Sequence, residues 1–195
     1  MTLTFDAELH EYRLDNISVP SVTQIIGGAG LSDFSKVNPD ILKRSQSFGT
    51  ATHLACMLDD KHQLDMKSLD PALFPYLEAW ILFKRDFGIT DFKEIEKQVY
   101  STKYQYAGCL DRLWEDALIE IKTCTTIPKT TGLQLVGYQG AYEEMYKVKI
   151  KRRICVQLLD GTYKMEEYKD RTDFRVFTSC LSIVNWQKIN NIKEK

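Results

Sequence analysis

The chain has no apolar run near the roughly 18 residues a membrane-spanning helix needs, no internal repeat and no low-complexity tract. It also has no excess charge of either sign. With 26 Lys and Arg against 27 Asp and Glu, the formal net charge is −1, so no bulk positive field draws the chain to a polyanion and a histone-like or polybasic binder is excluded. Its five cysteines, Cys56, Cys109, Cys124, Cys155 and Cys180, show no C-x-x-C spacing. That excludes a zinc ribbon or an iron–sulfur cluster and fits buried free thiols in a reducing compartment. The opening Met1-Thr2-Leu3-Thr4-Phe5-Asp6 has neither a basic n-region nor an apolar h-region, which gives the expectation of a cytoplasmic protein.

What is present fits one globular domain. A chain of 195 residues, 44% of them hydrophobic, can bury on the order of 70% of its unfolded surface and needs no staples. We expect a single domain over residues 1–195, with a hairpin-and-helix appendage at 1–46 and a core at 47–195. The first twenty residues read as a hairpin about Asp15-Asn16, and Ser21 or Thr23 can cap a short helix ending at Gly27-Gly28. Helical spacing recurs at 47–58, at 71–87 and at 133–145, and again from Asp173 to about Ile192. Strand-like alternation marks 92–100, 104–113 and 117–123, and Asp160-Gly161 between 148–159 and 162–168 is a strong hairpin signal. The class is α/β, a small mixed sheet with helices packed on it.

The informative segment runs from Gly108 to Thr123. If Glu115-Asp116 is the turn between two antiparallel strands, Asp111 lies opposite Glu120 on the same face, and Lys122, two residues on, shares that face. Two carboxylates about 5 Å apart repel unless a cation lies between them, and an oxygen-rich carboxylate pair suits Mg²⁺ or Mn²⁺. A lysine beside such an ion can hold an attacking water or compensate charge on a phosphoryl group. The same three residues also fit a solvated hairpin face with an ordinary cross-strand ion pair. Against that, Leu118 shares the face of Glu120 and Lys122, so it is not simply polar.

Asp111 followed by Glu120-Ile121-Lys122, with Gly108 before them, resembles the PD-(D/E)XK nuclease superfamily and in particular its RecB-like exonuclease branch. Gln134-Leu135-Val136-Gly137-Tyr138 matches the Q-x-x-x-Y helix motif of that branch, and Gly49-Thr50-Ala51-Thr52-His53 resembles its helix with a metal-binding histidine. The opening His10-Glu11-Tyr12 and Val19-Pro20-Ser21-Val22-Thr23 are similar to phage-type exonucleases, the mitochondrial genome maintenance group included. The likeness covers about residues 10 to 145, with its five elements in the family's order. Leu110 stands where the superfamily's eponymous proline would be.

The resemblance implies a restriction-endonuclease-like core, a central mixed β-sheet flanked by helices. It implies a metal-dependent DNA exonuclease of phage or bacterial recombination, repair or replication. The metal, Mg²⁺ or Mn²⁺, would be held by His53, Asp111, Glu120 and the carbonyl of Ile121, with Glu96 a candidate for a second ion. Lys122 would position the water and stabilise developing charge, while Gln134 and Tyr138, four apart on one helical face, would contact phosphate and orient Lys122. The substrate would be single-stranded or end-containing DNA, and candidate partners are a recombination or single-strand-binding protein and further copies of the chain. Lys147, Lys149, Lys151, Arg152 and Arg153 are candidate DNA contacts, the first three on one strand face; such a row also guards an edge strand against aggregation. Two other readings stay open: a non-catalytic nucleic-acid- or partner-binding module on the same fold, and an endonuclease of the same superfamily. An acid/base glycosidase would use the paired carboxylates but not Lys122, Gln134 or Tyr138.

Overall fold

A computed structural model describes residues 2–32 and 37–192. The chain opens with β1 (Leu3–Asp6), β2 (Glu11–Leu14) and β3 (Ile17–Val19), which form a three-stranded antiparallel sheet in that order. Asp15 and Asn16 make the β2–β3 turn with φ of 47° and 70°, a conformation these residues tolerate. The expected single hairpin is thus extended by one strand. The turn before β2 contains neither glycine nor proline; the Asp6 carboxylate makes it by accepting from the N–H groups of Glu8 and Leu9.

The next element, α1 (Val22–Gly28), starts at a capping box in which Ser21 accepts from the Gln24 N–H and the Gln24 side chain accepts from the Ser21 N–H. Helix α2 (Pro39–Asp60) begins well before the expected Ser47, because Asn38 caps the N–H groups of Asp40 and Ile41 and Pro39 fits the first turn. Its first turns are largely exposed, so no apolar period announces them, and it runs unbroken across the expected boundary at 46/47. A 3₁₀ turn (Pro71–Leu73) leads into α3 (Phe74–Phe87), which Gly88 ends in the left-handed conformation at φ 65°.

The main sheet has the order β4 (Glu94–Ser101), β5 (Tyr106–Trp114), β6 (Ala117–Lys122), β7 (Arg152–Leu158), β8 (Tyr163–Glu167). Every neighbouring pair is antiparallel except β6 and β7, which are parallel and joined through α4 (Thr131–Tyr146). Helix α5 (Asp173–Ile189) follows. Side chains of α1, α4 and α5 pack on one face around Leu110, Leu113 and Leu118. On the other face Cys56 of α2 and Trp80 and Phe83 of α3 pack on Ile119, Ile121, Ile154 and Val156. The β6 alternation is as expected, with Leu118 on one face and Ile119 and Ile121 on the other. The molecule is therefore mixed α/β with a five-stranded mixed sheet between helices.

The basic run departs from its expected place. Residues 147–151 are irregular, Lys147 ends α4 at φ 57°, and β7 starts only at Arg152. Nor is β7 an edge strand; β8 covers it. All five cysteines are free, Cys56, Cys155 and Cys180 buried. No described helix is long and apolar enough to cross a membrane.

Candidate metal centre

Three carboxylates lie abreast across three adjacent strands. Arg112 pairs with Ile119, which sets Asp111 opposite Glu120, and the pairs Ile95 with Arg112 and Lys97 with Leu110 set Glu96 opposite Asp111. Regular alternation breaks at this point. Leu110 and Leu113, three apart, share one core cluster, and on β4 both Lys97 and Glu94 meet α4, at Tyr146 and Tyr142. Glu96 sits at the break with φ 48°, a left-handed conformation in mid-strand that costs a non-glycine residue roughly 1–3 kcal/mol and collects at functional sites.

Helix α2 brings His53 over this row. Its Nδ1 is 3.5 Å from Asp111 Oδ1 and 4.0 Å from Glu96 Oε1, and one ligand atom from each of the three residues lies within 4.8 Å of the others. His53 Nε2 is 3.1 Å from the carbonyl oxygen of Ile121. A carbonyl only accepts, so in the neutral ring Nε2 carries the proton and Nδ1 turns its lone pair toward the carboxylates, the arrangement in which a histidine ligand is fixed by its other nitrogen. The Ile121 carbonyl, expected on the metal, also orients His53, and Glu96, expected near a second ion, lies in one cluster with His53 and Asp111.

Glu120 stands beside the cluster in a second network. Its Oε1 accepts from Lys122 Nζ at 2.8 Å and from Gln134 Nε2 at 2.8 Å; Gln134 also accepts from Lys122 at 3.0 Å and donates to the Tyr138 oxygen at 3.1 Å. Lys122, Gln134 and Tyr138 are thus brought together as expected. Tyr138 can lie flat on β5 because residue 108 is glycine: a Cβ there would stand 2.6 Å from its ring. The other oxygen of Glu120, Oε2, is buried without a partner. A buried carboxylate oxygen without a donor is expensive unless something cationic completes it.

Electrostatics follow from the crowding. Burial, then the charge of Glu120, pushes the Asp111 carboxyl up to about 7, although His53 and the Ile121 N–H at 2.7 Å pull the other way. Burial alone would push the Lys122 ammonium down, but Glu120 and Asp111 outweigh it and hold it up at about 12, so this lysine stays charged. Burial, then Glu120, raises the Tyr138 hydroxyl well above its ordinary range.

The basic run does not reach this centre. Lys149 pairs with Glu143, Lys151 with Asp116, Arg152 with Glu167, and buried Arg153 with Asp173. Lys149, Lys151 and Arg153 line a groove of about 890 Å³ with Gln139, Gly140 and Phe174. Val136, Gly140 and Glu143 of that groove lie on the side of α4 away from Gln134 and Tyr138. Tyr106, at the start of β5, is core, its hydroxyl donating to the Gly137 carbonyl.

Sequence reasoning missed Asp60 and Arg112. Asp60 reads as linker, yet its side chain is fully buried, and Arg112, also fully buried, donates through Nε to Asp60 Oδ2 at 2.6 Å and through Nη1 to Glu96 Oε1 at 2.7 Å. The available signal was an arginine at a core-facing strand position next to Asp111. No family model and no curated protein matches the chain.

Proposed function

We propose that the chain is a divalent-metal-dependent DNA nuclease, an exonuclease, acting at the centre formed by His53, Glu96, Asp111, Glu120 and Lys122. The observation that carries the reading is a histidine whose lone pair faces two carboxylates, together with a buried, unpartnered oxygen on Glu120, the residue opposite Asp111. An all-oxygen carboxylate set with one imidazole suits Mg²⁺ or Mn²⁺ and would be held by His53 Nδ1, Asp111 and Glu96, with Glu120 Oε2 the further oxygen donor. A divalent cation there supplies Lewis-acid stabilisation of phosphoryl charge and makes water more acidic.

The protein's own groups do the rest. Lys122, kept protonated by Glu120, serves as a fixed cation for a phosphoryl oxygen and a donor to the attacking water, not as a base. Gln134 bonds both Lys122 and Glu120 and so holds their ion pair in one geometry. Tyr138 accepts from Gln134, which leaves its O–H to donate to a phosphate oxygen. Because Lys149, Lys151, Arg152 and Arg153 pair with carboxylates of the chain itself, substrate affinity is expected to come from the cation-loaded centre. The five motif elements and the α/β core support the PD-(D/E)XK reading and its restriction-endonuclease-like topology.

The test is digestion of end-labelled linear and covalently closed DNA, single- and double-stranded, with Mg²⁺ or Mn²⁺. Degradation confined to linear substrates is expected. Cleavage of closed circles would make the protein an endonuclease, and no cleavage of any substrate would leave the reading of a binding module.

A further inference from the structure

Resting on the reading that the His53, Glu96 and Asp111 cluster takes a divalent cation, we propose that Arg112 is a positioning residue which, anchored by buried Asp60, holds the Glu96 carboxylate on that cluster and sets its affinity for metal.

Arg112 packs beside the stacked rings of Trp80 and Phe92, its guanidinium carbon 5.8 and 6.0 Å from their centroids. Its guanidinium spans two carboxylates. Nε holds Asp60 Oδ2, and Nη1 holds Glu96 Oε1, the oxygen that faces His53, while also donating to the Asp111 carbonyl at 2.7 Å. Asp60 is itself immobilised on its other oxygen by the Trp80 N–H at 2.8 Å and Lys84 at 2.7 Å. The result is a rigid line from α3 through α2 and β5 to a ligand on β4. Without it, the side chain of Glu96, 30% exposed, has water as an alternative.

Stability alone does not account for this arrangement. Arg112 Nη2 is buried with no partner, and Glu96 keeps a left-handed backbone in mid-strand. Buried ion pairs are often replaceable by apolar residues with no loss of stability, so a pair that leaves one donor orphaned and strains its partner's backbone is better explained by what it orients. Groups that orient a metal ligand from outside the ligand set typically change affinity by about ten- to a hundredfold when altered. Lysine keeps the charge at this position but lacks the planar fork that bonds Asp60 and Glu96 together.

The experiment is calorimetric titration of the full chain with Mn²⁺, alongside thermal unfolding of each protein. Arg112→Lys is expected to weaken Mn²⁺ binding about tenfold. Arg153→Met, which breaks a buried ion pair with Asp173 outside this network, is expected to bind within about twofold of wild type. In a double-mutant cycle, Arg112→Lys should weaken binding no further once Glu96→Gln is present. Should Arg112→Lys fail to fold, Asp60→Asn, which loosens the anchor with little change of shape, is expected to weaken Mn²⁺ in the same direction by a smaller factor. Wild-type affinity in Arg112→Lys or Asp60→Asn, full additivity with Glu96→Gln, or equal weakening by Arg153→Met would overturn the positioning role while leaving the metal centre standing. Absence of Mn²⁺ binding by the wild-type protein would overturn both.

Discussion

Replacing Asp111 by asparagine should stabilise the metal-free protein while destroying its function. The Asp111 carboxyl titrates at about 7 in the folded chain against 3.8 for an unperturbed group, because it is buried beside Glu120. A rise of about three pH units corresponds to roughly 4 kcal/mol at about 1.36 kcal/mol each. The sign follows from the raised value: below pH about 4 the group is protonated folded or unfolded and costs nothing. As pH rises from 4 to 7 the unfolded chain ionises first, so folding stability falls, and above 7 the loss is complete. The Asp111→Asn change removes the charge and keeps an oxygen to accept the Ile121 N–H, now held at 2.7 Å. At about 2–4 °C per kcal/mol for a domain of this size, the variant should melt roughly 8–16 °C above wild type at pH 8 in EDTA, and within a few degrees of it at pH 4.5. Differential scanning calorimetry at the two pH values reads both. A variant no more stable than wild type at pH 8, or one whose advantage does not depend on pH, would refute the reasoning.

Metal affinity should carry the same proton. Below pH 7, where Asp111 is protonated, Mn²⁺ binding measured by calorimetry should weaken by up to about tenfold per pH unit, and a pH-independent affinity would remove Asp111 from the ligands. Lys122→Met should lower the single-turnover cleavage rate by about 10²–10³ while Mn²⁺ still binds, because the lysine acts on the phosphoryl group and not on the cation. Gly108→Ala drives a methyl group to 2.6 Å from the Tyr138 ring and should destabilise the fold by about 1–3 kcal/mol in urea denaturation, with a loss of cleavage as Gln134 and Tyr138 shift. Lys149→Ala combined with Lys151→Ala breaks two exposed lysine ion pairs, so the midpoint of urea denaturation and kcat should both stay as in wild type.

The sheet and the site were legible to different depths. The β5–β6 turn at Glu115-Asp116 set the register, and with it the meeting of Asp111, Glu120 and Lys122, because one antiparallel register determines every opposed pair. The Gln134 and Tyr138 face followed from helical period. The start of α2 was hidden because its first turns are solvated and leave no apolar stripe, and the three-stranded opening because a carboxylate, not glycine, makes its first turn. The basic run misled for a related reason. Alternating lysines mimic a strand, but Lys147 closes a helix, Lys149 pairs back to Glu143 of that helix and Lys151 reaches Asp116 on a distant turn, so the pattern is decided by pairing that alternation does not show. Glu96 was legible only as a candidate for a second ion, because the break in strand alternation that aims it at His53 and Asp111 has no short-range signal.

The central claim is that one carboxylate–histidine–lysine centre performs metal-dependent cleavage of DNA. It is tested most directly by single-turnover digestion of end-labelled linear DNA at saturating Mn²⁺, comparing wild type with Asp111→Asn and Glu120→Gln. The prediction is degradation by wild type that stops on addition of EDTA, and folded, heat-stable variants slower by about 10³ or more. Cleavage that persists in EDTA, or variants that cut as fast as wild type, would contradict it.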